Sequence, residues 1–299
     1  PENPSLVFAP PSPSGKAAGI CMTPEEFTSL VGNPQAEHLM FASQILSDLP
    51  ATITRALNAP SSSRTVIYCL LLNKEESIRT RQRQRLHREN DPVVSKELAL
   101  FEPVVDAIGP ALRLPIVLIA IPALKLLSSP QYEQFRKTVY DLIAADGQSN
   151  LFEYALQRIL VRRLDPVFRK TRPPEIKYSA MDQVQTECFV LLSLLASRGH
   201  AAHDAAETAF HRGIAKLCAT AKPFDFAGAK FDLNDLDNAL EKLALTSPRI
   251  KKTVLQACLT CISADSMITV DEADMLRAIA DSRDCPIPPL LPSESQGVK

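Results

Sequence analysis

The sequence predicts an all-α protein. Apolar residues recur at three- and four-residue spacing through most of the chain, and no run shows the convincing period of two of a half-buried strand. Only 9 of 299 residues are glycine, and their rarity inside the periodic stretches favours helices over turn-rich β architecture. Helix-start signals punctuate the pattern at short intervals. A chain of this length is sufficient for two domains, each with its own core.

Residues 1–22 carry prolines at 1, 4, 10, 11 and 13 among Ser, Gly and Ala, a linker composition. Order is expected from Thr23-Pro24-Glu25-Glu26, where Thr caps, Pro suits the first helical position and Glu reaches back to the cap. Asn33-Pro34 opens a segment to Leu49-Pro50, Ser61-Ser62-Ser63 caps a run through Leu70 and Leu71, and Asp91-Pro92 begins a helix through Phe101. Leu114 to Leu127 is strongly apolar but interrupted by Pro115, Pro122 and Lys125. It falls short of the roughly 20 uncharged residues of a spanning helix, so a buried core helix is expected. Pro173-Pro174 cannot continue a helix, so Asp165 to Tyr178 marks a boundary. Helices are then expected at 181–196, 201–217, 233–245, 249–263 and 270–282, with a polar joint at 224–232. The chain thus divides into a linker (1–22), a first helical domain (23–165), a second linker (166–178), a second helical domain (179–286) and a flexible tail (287–299).

The net charge of −1 gives no long-range field to gather nucleic acid, which is not expected as a partner. Seven scattered cysteines read as reduced thiols, not a disulfide framework. The chain starts at Pro1 and shows no secretory signal, and it reads as a piece of a longer protein.

Two stretches share one design. Ser129-Pro130 is followed by a helical pattern closing in Asp146-Gly147, then Asn150 and Glu153. Ser247-Pro248 is followed by another closing in Asp265, then Thr269 and Glu272. An Asp ends one segment and a Glu seven residues later opens the next, a repeated helix–turn–helix signature. Asn150 with Glu153, and Thr269 with Glu272, match the spacing of a capping box. The Asp accepts from turn N–H groups, and Gly147 supplies a permissive dihedral where the second copy has Ser266. Capping accounts for every residue present. The alternative is a divalent-cation site of hard oxygens, with Asp146, Glu153, Asp265 and Glu272 as its metal candidates.

Three further groups carry weaker signals. His200, His203, Asp204, Glu207 and His211 lie near one face if helical, which suits zinc but equally a solvated face. Cys258-x-x-Cys261 lacks a second pair and is expected in the core. Arg79, Arg81, Arg83, Arg85 and Arg88 suit anionic lipid headgroups, but alternation with Gln spreads them around a helix and no aromatic platform accompanies them. A solvated basic helix, partly neutralised by Glu75, Glu76 and Glu89, is the expectation. No H-E-x-x-H, G-x-S-x-G, Walker-type or G-x-G-x-x-G motif occurs, so catalysis by these residues is not expected.

Thr65 to Leu72, Leu112 to Pro115, Asp141 to Leu164 and Ser263 to Pro292 resemble the C-terminal region of bacterial HtpX-like zinc metallopeptidases. The Ala-Ala-Asp-Gly…Glu and Ala-Asp-Ser…Glu turns resemble the TerB-like (tellurite-resistance) helical domain, whose acidic turn is regarded as a metal site. Asp146, Glu153, Asp265 and Glu272 map onto it. The resemblance spans about Thr23 to Pro292. It implies tandem TerB-like helical bundles that follow a membrane-bound peptidase on the cytoplasmic side, the parent being anchored in the inner membrane. The zinc-binding helix is absent from these residues, so zinc is expected only in the peptidase part and no catalytic residue carries over.

The expected function is therefore a non-catalytic regulatory or interaction region whose partner is the parent's peptidase or membrane part, or another protein. The alternative is an ion-sensing module using the acidic turns. A weaker one is anionic-membrane docking through Arg79–Arg88.

Overall fold

The computed structural model describes residues 7–8, 36–89, 91–169, 175–200, 202–217, 226, 231–265, 268–282, 285 and 287. Among them are thirteen α-helices and only two strands of two residues each, β1 (Val7–Phe8) and β2 (Gln148–Ser149). The fold is all-α. The expected helix start at Thr23, most of the 1–22 linker and of the 224–232 joint, Ser266, Pro173-Pro174 and nearly all of the tail lie outside the described residues.

The chain forms two compact units, one of Met40–Thr171 and the other carrying Arg172–Lys299. The first contains α1 (Ala36–Asp48) from Met40 onward, α2 (Ala51–Ala56), α3 (Pro60–Leu70), α4 (Glu76–Glu89), α5 (Pro92–Asp106), α6 (Pro110–Leu124), α7 (Ser129–Ile143) and α8 (Leu151–Phe168). Prolines start many of these helices: Pro60, Pro92 and Pro110 occupy the first helical turn, where a missing N–H costs nothing. Asp91 caps α5 by accepting from the Val93 N–H. Ser128 and Gln131 close a reciprocal capping box on α7.

Helix α3 is the hub of this unit. It packs on α5, α6 and α7, which explains why Val66, Ile67 and Tyr68 are wholly buried. The apolar run 114–127 is a core element, as its composition implied. Leu114, Ile116, Val117, Ala120 and Leu124 are fully enclosed, and α6 carries Pro115 and Pro122 inside it. No helix among the described residues is long and apolar enough to cross a membrane.

The serine run does not cap its helix. Ala59 holds the N-cap position of α3, and the serines lie inside the helix, Ser62 and Ser63 facing neighbours and Ser61 facing solvent. Ser62 Oγ donates to Glu97 Oε1 at 2.5 Å, and Ser63 Oγ donates to the carbonyls of Ala56 and Leu57. Long-range partners outcompete the local cap. At the expected boundary, α8 runs past Asp165 to Phe168 and carries Pro166 within it.

The second unit contains a 3₁₀ turn (Met181–Val184), α9 (Gln185–Gly199), α10 (His203–Leu217), α11 (Leu233–Ala244), α12 (Pro248–Ile262) and α13 (Val270–Asp281). Helix α9 packs against α10, α11 and α12, and α10 lies along α12. Gly213 makes that last approach close: a Cβ there stands 3.1 Å from the Ala257 carbonyl and 3.2 Å from Cys261 Cβ. The amphipathic α11 turns Leu236, Ala239, Leu240 and Leu243 inward, at the spacing of one helix face. Asp232 and Asp235 cap it reciprocally.

Candidate functional site

The first acidic turn is built from three elements. Helix α7 passes into a 3₁₀ turn, Ala144–Asp146, and Gly147 follows with φ 75°, the left-handed conformation that favours glycine. Asp146 Oδ1 accepts from the Gln148 N–H at 3.0 Å, and its Oδ2 accepts from Asn73 Nδ2 at 2.8 Å. Asn73 is held in turn by Gln82, whose Oε1 accepts from the Asn73 N–H. The buried Gln82 amide also donates to the carbonyls of Leu71 and Leu142. One side chain thus ties the loop after α3 to the end of α7.

Asn150 then starts α8. Its Oδ1 accepts from the Glu153 N–H, and Glu153 Oε2 accepts from the Asn150 N–H, both at 2.9 Å. Burial raises the Glu153 carboxyl to about 7; its bond with Asn150 opposes the shift and the Asp146 charge adds to it.

The second turn repeats this logic with other partners. Thr269 Oγ1 accepts from the Glu272 N–H at 3.3 Å, and Glu272 Oε2 accepts from both the N–H and the hydroxyl of Thr269 at 2.8 Å. Glu272 is only 4% exposed. Burial raises it to about 7; the bonds from Thr269 oppose this, and the charges of Asp265 and Asp271 reinforce it. Its Oε1 packs against Gly199 at the end of α9, where a Cβ would stand 2.2 Å away. Arg212 Nη1 braces the turn by donating to the Ala264 carbonyl at 2.7 Å.

Gly199→Ala is accordingly expected to push the Glu272 carboxylate out of its cap. The cost is about 1–2 kcal/mol, the scale of a lost helix cap. A lower urea midpoint for the second unit checks this, and an unchanged midpoint contradicts it.

The structure therefore brings Asp146 near Glu153 and Asp265 near Glu272, two carboxylates per turn. Among the described residues, no three His, Cys, Asp or Glu side chains stand together as ligands for one metal ion. Such a turn can take up a proton near neutrality, or attract a hard cation through two carboxylates, with the Asn73 amide beside the first pair. Asn73, Gln82 and Gly199 carry no local sequence signal, because they act across packed helices.

Two expected arrangements need correction. Of His200, His203, Asp204, Glu207 and His211, the last four lie on α10 with solvent access, as a solvated face implies, and His200 departs from them. His200 is the extended, buried residue after α9, with Nδ1 3.3 Å from the Ala196 carbonyl, and α10 opens only at His203. Of this set, Glu207 and His211 stand together, 3.7 Å apart.

The arginine helix is only in part a solvated basic face: Arg81 and Arg88 are exposed and Glu76 and Glu89 pair with it as expected, but three arginines turn to other helices. Arg79 is 9% exposed at its side chain and is clasped by Glu102 and Asp106 of α5. Arg83 bonds Glu102 and Glu76, and Arg85 bonds Asp141 of α7 at 2.7 Å and Glu89 at 3.2 Å. Lys137 of α7 joins Glu89 and Asp141. Burial opposes the charged form of Arg79, but its bonds to Asp106 and Glu102 outweigh that and hold it above the ordinary guanidinium value.

Cys258 and Cys261 are fully enclosed core residues, and Cys261 Sγ lies 3.7 Å from the Leu192 carbonyl. Burial pushes the Cys261 thiol well up, with Cys258 and Glu272 adding to the shift. A thiol so raised is a poor nucleophile.

No protein-family description, curated protein or solved structure matches the chain.

Proposed function

We propose that this chain is a non-catalytic helical interaction region, of the kind that follows the peptidase in HtpX-like zinc metallopeptidases, with TerB-like units as its building blocks. It acts through packed helix surfaces on the cytoplasmic side, regulating a membrane-bound peptidase, recruiting its substrate or mediating assembly. Zinc belongs to the peptidase part.

One observation supports this reading: residues with chemical potential are engaged in holding the fold. Glu153 and Glu272 close capping boxes, Arg79, Arg83 and Arg85 pair with carboxylates, and Cys258 and Cys261 fill the core. The test is a fluorogenic-peptide assay with Zn²⁺, Mn²⁺ or Co²⁺ supplied. The proposal expects no chelator-sensitive cleavage, and reproducible cleavage abolished by chelator overturns it.

A second reading, ion sensing at the acidic turns, draws on the charge repulsion in both copies. Burial is the main cause of both raised carboxyls, and Asp146 adds to it at Glu153 as Asp265 and Asp271 do at Glu272; a bound divalent cation relieves that added repulsion. Calorimetric titration with Ca²⁺, Mg²⁺, Mn²⁺ and Zn²⁺ decides it. This reading expects heat of binding that Asp146→Asn reduces, and no heat with any ion removes it. Docking of Arg79–Arg88 on anionic membrane has less support, since four of the five arginines, Arg79, Arg83, Arg85 and Arg88, are paired with carboxylates.

A further inference from the structure

Arg64 stands apart from the other arginines of the first unit. It lies in the middle of α3, 8% exposed, and among the described residues no hydrogen bond or ion pair reaches its guanidinium. Its Nε is sealed from solvent, whereas the terminal nitrogens are not. Arginine keeps its proton inside a protein, so a guanidinium recessed to this degree without a carboxylate favours an anion at its open terminal nitrogens. An unsatisfied buried polar group in a native fold calls for an explanation, and an ion is the one that fits a fixed positive charge.

The surroundings supply further donors and an entrance. Tyr68, one turn along α3, is wholly buried, and its hydroxyl is enclosed without a well-formed hydrogen bond. Its acidity carries the mark of the neighbours: burial pushes it up to about 12, while the Arg64 charge and the Thr138 hydroxyl pull the other way. The Phe135 ring of α7 lies 5.8 Å from the Tyr68 ring and forms an apolar wall. The terminal nitrogens of Arg64, which are not sealed, are the way in. The neighbouring carboxylate, Glu97, is occupied on the opposite flank of the helix by Ser62 and Thr65.

We propose that Arg64, with the Tyr68 hydroxyl beside it, forms a recessed anion site that takes an oxyanion, a carboxylate or phosphate group, on the guanidinium fork. The planar guanidinium grips either group bidentately, and the enclosed setting strengthens the contact relative to water. The site is independent of the acidic turns.

The test follows thermal unfolding of the full chain in sodium phosphate, sodium acetate and sodium chloride at matched ionic strength. Phosphate and acetate also stabilise proteins nonspecifically, so the reading is the difference between the wild type and Arg64→Met. The proposal expects a saturable rise in the wild-type midpoint, at least about 2 °C beyond that of the variant, in phosphate, in acetate or in both. A rise in phosphate alone assigns a phosphate-bearing ligand, and one in acetate alone a carboxylate. In chloride, Arg64→Met is expected to melt above the wild type, because an uncompensated buried charge has gone. Arg64→Lys, which keeps the charge without the fork, is expected to retain part of the response. Wild-type midpoints that rise without saturation in both anions overturn the proposal, whatever the variants do. So do equal responses in wild type and Arg64→Met.

Discussion

Glu102→Ala is expected to destabilise the Met40–Thr171 unit by about 3 kcal/mol, since breaking a buried ion pair leaves its partner charge uncompensated. Glu102 is 12% exposed at its side chain and bonds two arginines of α4 at once, Arg79 at 2.6 Å and Arg83. Burial opposes its ionised form, yet the bonds from Arg83 and Arg79 win and hold it below the ordinary carboxyl value. Removing it takes the shared buried carboxylate from both guanidinium groups and leaves them the more exposed Asp106 and Glu76. Glu102→Gln keeps the shape and one acceptor, and is expected to cost less. Pairing Glu102→Ala with Arg79→Met is expected to recover part of the loss, because the uncompensated charge leaves with its partner. Urea titration of the wild type, Glu102→Ala, Arg79→Met and the double variant checks this, and additive losses contradict the coupling.

Glu153→Gln is expected to stabilise the first unit at pH 8 and to leave it nearly unchanged at pH 4.5. The Glu153 carboxyl is raised in the folded state to about 7 from the ordinary 4.5, mainly by burial. Its favourable contribution is therefore fully present below pH 4.5 and is lost as pH rises through about 7. Glutamine imitates the neutral acid and keeps an acceptor for the Asn150 N–H, so it escapes the loss. The gain approaches about 3 kcal/mol at pH 8, on the scale of 1.4 kcal/mol per pH unit. Glu272→Gln is expected to do the same in the second unit, where burial again dominates the shift. Carboxylates with lowered values, such as Glu89 and Glu102, tilt the profile of every variant in the opposite direction. The difference between each variant and the wild type isolates the glutamate, and a pH-independent difference contradicts the assignment.

What was legible in the sequence is what is local. Asn150 with Glu153 and Thr269 with Glu272 specify their caps within four residues, and both boxes form as the spacing implies. The core character of Leu114–Leu124 follows from composition alone. The misread residues answer to partners far along the chain. Ser62 turns to Glu97, and Arg79 and Arg83 turn to Glu102. The His200–His211 spacing carries no trace of the helix break before His203, because periodicity is blind to a short interruption. Gln82, Asn73 and Gly199 are silent in sequence, since their roles exist only once helices pack. Arg64 is silent for the same reason: its isolation is a property of its surroundings.

The duplicated acidic turn, with a buried cap glutamate beside a repelling aspartate, is the centre of this account. Carbon-13 NMR of the glutamate side-chain carboxyls, followed against pH without metal, tests it most directly. Midpoints near 7 are expected for both Glu153 and Glu272, and midpoints at the ordinary carboxyl value of 4.5 for both rule the buried, repelled cap glutamate out.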